Sequence, residues 1–211
     1  MAWSRTRTSR RLLLSLGRRS LSWWVRPDVV AEPGLRRDLV REYRRLQGTV
    51  PWPALVALRL HLAFSVLPGA ALYAVLRRRG WDGPAAVEAV RRTLADMAAP
   101  HRRRLRRLMR HRLPREVFLP LVARVTPLAF PAPGWQVSWR ERSRTAVAFD
   151  MTRCFDLEML RLLGCPEITR AYCAVDDVLY SGMAPQLCWR RTGTLATGAA
   201  YCDFRYERVA R

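Results

Sequence analysis

Lysine and asparagine are absent from this 211-residue chain, and isoleucine occurs once, at Ile168. Their codons are AT-rich, whereas those of Arg, Ala, Pro and Gly are GC-rich, so the pattern reads as the accent of a high-GC genome. All 38 basic residues are Arg against 17 acids, a net charge of +21. Much of that excess therefore needs no polyanionic partner to explain it. Helix-turn-helix, zinc-finger and RNP signatures are also missing, which argues against sequence-specific nucleic-acid recognition. No CxxC occurs, and five cysteines without a secretory signal point to reduced thiols in the cytoplasm. The Gly-x-Ser-x-Gly elbow of Ser/His/Asp hydrolases is missing, and all three His lie in the front half. There is no internal repeat. Half the residues are apolar, which excludes a wholly disordered chain, and the length suits one domain with at most an appended segment.

What is present is unevenly placed. Residues 1–128 hold 27 Arg and 8 acids, whereas residues 129–211 hold 11 Arg, 9 acids and all five cysteines. Residues 1–27 read as a basic flexible leader. Its apolar patch, Leu12–Leu16, is interrupted by Gly17, Arg18 and Arg19, too soon for a signal peptide. Peripheral contact of this N-terminus with an anionic membrane is one reading, and a loosely packed leader is the plainer one. Residues 28–211 read as a single α+β domain, with a helical front over 28–128 and a cysteine-bearing back over 129–211.

Helical spacing of Leu35, Leu39, Val40, Tyr43 and Leu46 predicts a first helix. The apolar run Leu55–Leu76 is cut by Pro68-Gly69 into pieces too short to span a bilayer, so two buried helices joined at a turn are expected. Asp82-Gly83-Pro84 opens another helix, with Pro100 as its expected end. The run His101–Arg112, with seven Arg, reads as an amphipathic helix whose Arg stems lie over the core edge, rather than as an anion site. Beyond Pro131, Pro133 and Gly134 the period changes. Trp135–Trp139 and Thr145–Phe149 alternate as a β-hairpin, two short helices follow at 156–163 and 167–179, and 187–195 with 201–209 form a closing strand pair. Helices packed on a small antiparallel sheet make the fold class α+β.

Chemistry-bearing residues concentrate in the back. Cys173 and Asp176, three apart, share a helix face. Cys202 and Asp203 fall on opposite faces of a strand unless a bulge intervenes, and Arg205 shares the face of Asp203. Cys165 and Cys188 read as small buried hydrophobes. No closely spaced ligand pair supports a zinc site built from Cys154, Cys173 and Cys202, and no cofactor is implied.

Five segments occur in order: Ala71-Leu72-Tyr73 before a turn at Gly80; Phe149-x-x-Thr152-Arg153-Cys154; Leu163-Gly164-Cys165-Pro166-Glu167; Tyr172-Cys173-x-x-Asp176; and Arg191-Thr-Gly-Thr-Leu-Ala-x-Gly198-x-x-x-Cys202-Asp203-Phe204-Arg205-Tyr206. Together they resemble the L-2-amino-thiazoline-4-carboxylic acid hydrolase family, a bacterial group, over roughly residues 35–208. The basic leader and the Arg-rich run are departures from it. The resemblance implies a small-molecule hydrolase opening a C–N or C–S bond of a cyclic amidine. Such a reaction needs a nucleophile or activated water, a proton carrier and a cation for the substrate carboxylate. Cys173 and Cys202 are the expected nucleophiles if a neighbouring Arg lowers their pKa. Asp176 and Asp203 are expected to act as base or to grip the amidinium, and Arg153, Cys154, Thr192 and Arg205 to bind substrate. Cys173–Asp176 and Cys202–Arg205 are expected to face one another across one pocket. The alternatives are a ligand-binding or otherwise recruited member in specialised metabolism, and a basic-surface nucleic-acid or membrane binder.

Overall fold

Leu35, Leu39, Tyr43 and Leu46 form the buried stripe of helix α1 (Leu35–Thr49), as their spacing predicts. The structure is a computed structural model and describes residues 21–24, 33–183, 185 and 187–209. Most of the expected leader lies outside the described residues. Its described piece, 21–24, is helical, with Leu21 and Trp24 each 1% exposed and Trp23 67% exposed.

Helix α2 (Val56–Arg78) corrects the expectation of two helices, because it runs unbroken through Pro68 and Gly69. The reason lies one turn earlier. Leu62–Val66 is a π turn in which the Leu67 N–H donates to the Leu62 carbonyl, five residues back. The wider turn accommodates the proline ring that would otherwise clash with the preceding carbonyl. It also releases the Ala63 carbonyl, which accepts the Tyr43 hydroxyl at 2.9 Å. By length and composition α2 could cross a membrane, but 61% of its apolar window is buried inside the protein, as in a core helix. Two ion pairs add to the α1–α2 packing, Arg78 with Glu42 at 2.9 Å and Arg79 with Asp38 at 2.6 Å.

Helix α3 (Gly83–Leu108) starts where Asp82 caps it, its carboxylate accepting the Ala85 N–H at 2.7 Å. It does not end at Pro100. Proline's φ is already helical and only one N–H is lost, so the helix absorbs the Arg-rich run that was expected to stand apart. Helix α4 (Arg112–Ala129) follows, with Phe118, Leu119 and Thr126 buried. Periodicity did not single it out.

The back half forms β1 (Gln136–Arg142), β2 (Ala146–Arg153), α5 (Phe155–Leu162), α6 (Thr169–Tyr180), β3 (Leu187–Arg190) and β4 (Cys202–Arg208). The strands make one antiparallel sheet in the order β1-β2-β4-β3. The fold is α+β. Gly164, at φ +73°, takes the left-handed turn after α5 that a side chain resists. The chain divides into two compact units, Met1–Thr93 with Met159–Ile168, and Leu94–Glu158 with Thr169–Arg211. This division differs from the compositional boundary at 128, since charge density changes there while packing does not. In the first unit, the Tyr73 hydroxyl donates to the Glu167 carboxylate, fastening the Pro166–Ile168 turn to α2.

Register sorts the sheet's side chains. Val147, Phe149 and Met151 lie opposite Tyr206, Phe204 and Cys202 on one face, and Ala148 and Asp150 lie opposite Arg205 and Asp203 on the other. The first face is aromatic: Phe149 and Phe204 stack at 4.7 Å, and Trp189 meets Tyr206 at 4.9 Å.

Candidate active site

The residues singled out from sequence separate into two groups, both within the second unit. Helix α6 presents Cys173, Asp176, Asp177 and Tyr180 along one side, as spacings of three and four dictate. A single cation meets them. Arg191, just past β3 and 5% exposed at its side chain, donates to Asp176 at 2.8 Å, to Asp177 at 3.0 Å and to the Cys173 carbonyl at 2.8 Å. Its guanidinium lies over the Trp189 and Phe204 rings, at 5.5 and 5.6 Å from their centroids. The Trp189 indole N–H completes the arrangement with a 3.0 Å bond to Asp177.

Cys202 belongs to this group. It opens β4 on the aromatic face, and its sulfur accepts the Leu195 N–H at 3.2 Å. Cys154, Cys173 and Cys202 lie within electrostatic reach of one another and of Asp156 or Asp176. Among the described residues, however, no three His, Cys, Asp or Glu side chains converge in a metal-holding geometry.

The thiols are not thiolates at rest. Burial pushes Cys173 up to about 12, and the Arg191 charge offsets only part of that. Burial also raises Cys154 and Cys202. The expectation that a neighbouring Arg would lower a thiol pKa is therefore corrected: desolvation outweighs the cation. Asp176 moves in the useful direction. Burial raises its carboxyl to about 6 even though Arg191 pulls the other way, and its side chain keeps 25% exposure. A base that titrates near neutrality and touches solvent is the expected form of a general acid–base group.

Asp203 and Arg205 are on the opposite face, because β2 and β4 pair without a shift from Ala146 to Met151. The bulge that would have reunited Cys202 with Asp203 is absent there, so the expected single pocket is corrected. Asp203 is occupied: its carboxylate accepts the Thr192 N–H at 3.0 Å, the Thr192 hydroxyl at 2.9 Å and the Gly193 N–H at 2.7 Å. Burial opposes the charge, but these donors hold the carboxyl below its ordinary value. Thr192 is thereby committed to the loop. A Cβ on Gly193 would stand 2.9 Å from that of Ala199, so the loop closes only around glycine. Arg205 bonds Asp150 at 2.7 Å and the Phe149 carbonyl at 2.9 Å. Arg153 pairs with Glu158 at 2.7 Å at the surface and lies outside the cluster.

Sequence reasoning did not assign Arg191, Asp177 or Trp189. Two adjacent carboxylates on a half-apolar helix call for a cation, and Arg191 stands in the terminal motif, so the signal was present. Residues 59–206 match the family model of L-2-amino-thiazoline-4-carboxylic acid hydrolase. No curated protein and no solved structure matches the chain. The matched span contains α6, the Arg191 loop and β4 up to Tyr206, and with most of its length inside the match, this chain belongs to the L-2-amino-thiazoline-4-carboxylic acid hydrolase family.

Proposed function

We propose that this chain hydrolyses a small cyclic amidine bearing a carboxylate, opening a C–N or C–S bond of a 2-aminothiazoline-like ring. The observation that carries the reading is Asp176, a partly exposed carboxyl titrating near 6, one turn from Cys173 on the same helix face. Family membership supports the same chemistry.

A protonated amidine is a planar cation with parallel N–H donors, which carboxylates accept in pairs. Asp176 and Asp177 against Arg191 leave one net negative charge to receive it. Water adds to the carbon between ring sulfur and nitrogen. Asp176 takes the water's proton while the C=N electron pair moves onto nitrogen. The protonated Asp176 then returns that proton to the leaving ring atom as the C–N or C–S bond breaks, the added hydroxyl closing to a carbonyl and releasing its own proton to the freed Asp176 carboxylate, which sheds it to solvent. One group near 6 serves as base in the first stage and as acid in the second. Cys173 lines the reacting carbon as a neutral thiol, since the gap between about 6 and about 12 keeps a resting thiolate out of reach of Asp176. Arg191 is a positioning residue, and Cys202 and Asp203 shape the 191–195 loop.

The test is a mass-spectrometric screen of 2-amino-thiazoline-4-carboxylate, hydantoins and carbamoyl amino acids. One substrate should gain a water, and Asp176→Asn should lose that turnover while melting cooperatively. Turnover of Asp176→Asn at the wild-type rate overturns the reading.

A further inference from the structure

Helix α4 has two unlike sides. Phe118, Leu119 and Thr126 are buried, yet Leu113, Val117, Leu121, Val125 and Leu128 stand exposed, Leu113 at 69% and Leu128 at 76%. Steps of three and four place these five on one stripe, about 22 Å long at 1.5 Å per residue. A continuous apolar face of that length on a soluble surface marks an interaction site.

The surroundings of the stripe say what it meets. Val117, Pro120 and Leu121 floor a cavity of about 770 Å³ whose rim carries Arg124, Arg142 and Arg144. None of these three Arg makes an ion pair among the described residues. Residues 101–128 carry nine Arg against the single acid Glu116, which already pairs with Arg112 at 2.7 Å. A second copy of this chain, at +21, would bring the same cations to the same place. The first 24 residues of the chain, with six Arg and no acid, are repelled likewise. The fitting occupant is apolar beneath and anionic at its edge.

We infer that the outer face of α4 docks on an anionic lipid bilayer, with Leu113, Leu121 and Leu128 entering the acyl boundary and Arg124, Arg142 and Arg144 meeting the headgroups. Amphipathic helices lying in the interface use this division of labour. The inference is independent of the hydrolytic site.

The experiment is co-sedimentation of the full chain with vesicles of phosphatidylglycerol in phosphatidylcholine, and of phosphatidylcholine alone, near 0.15 M salt. The chain should partition to the anionic vesicles only. Because net charge alone attracts it to them, the decisive variant removes no charge. Leu113→Ser with Leu121→Ser and Leu128→Ser, all at exposed positions, should melt like the parent and partition about tenfold more weakly. Arg124→Gln with Arg142→Gln and Arg144→Gln should lose the preference for the anionic lipid. Undiminished sedimentation of the triple serine variant would reduce the effect to overall charge and overturn the proposal. So would equal binding to both vesicle types, no binding to either, or saturable uptake of an acidic amphipathic peptide in place of vesicles.

Discussion

Asp150 and Asp176 each lie against arginine in the second unit, and their carboxyls move in opposite directions. Asp150, 1% exposed, meets two guanidiniums, Arg205 at 2.7 Å and Arg140 at 2.5 Å. Burial opposes its charge, yet the two cations hold it below its ordinary value. Asp176 shares the single Arg191 with Asp177, and its carboxyl rises to about 6. Burial is the largest influence on both and opposes the charge: two cations overcome it at Asp150, whereas at Asp176 the single Arg191 does not, and Asp177 adds to the rise. A nearby arginine therefore does not by itself identify an inert ion pair. Whether the cations outweigh the cost of burial separates a clamp from a proton carrier.

The largest expected effect removes the carrier. Asp176→Asn should lower turnover by about 10²–10⁴-fold and abolish the acid limb that wild-type pH–rate profiles should show near 6. A surviving limb would move the base elsewhere. Arg191→Gln takes from two carboxylates the only cation that pairs with them among the described residues and should cost about 2–3 kcal/mol in denaturant titrations, while shifting the limb above 6. Asp150→Asn should cost about 2 kcal/mol and leave the limb where it was, which is the sharpest form of the contrast.

The two groups should also tilt stability against pH in opposite senses. The folded chain holds the Asp176 proton more tightly than the unfolded chain does, so this group favours folding most below 3.8, and that share declines as pH rises towards 6. The contribution of Asp150 is present above 3.8 and is lost as pH falls through its lower folded value. Urea midpoints of each Asn variant across pH 3–7 measure both slopes. Smallest of all, Glu116→Gln breaks an exposed pair with Arg112 and should leave the urea midpoint nearly unchanged, because solvent and salt screen such pairs.

Local pattern made some of this legible. Alternation located the hairpin that becomes β1 and β2, and spacing of three put Cys173 beside Asp176. Strand parity separated Cys202 from Asp203, and the unshifted β2–β4 register enforces that separation. What failed locally was decided at a distance. Pro68 reads as a break because its sequence neighbours do not reveal a π turn, and Pro100 reads as an end because its ring still fits helical φ. The burial of Arg191 depends on carboxylates 14 and 15 residues away on another element, which no periodicity encodes. The family motifs supplied its position, and only geometry supplied its role.

The Tyr43 hydroxyl on the Ala63 carbonyl has a consequence for how α1 and α2 find their alignment. Apolar stripes tolerate sliding, because one leucine replaces another at small cost. A carbonyl released by a π turn occurs at one place only. If α1 slipped by a helical turn, about 5.4 Å, leucines would still meet leucines, but a dry carbonyl would lose its donor at roughly 1–3 kcal/mol. The bond thus works as a key with a single notch, excluding slipped packings that greasy surfaces alone would permit. Tyr43→Phe, which keeps the ring and removes only the key, should loosen the alignment more than it loosens the core.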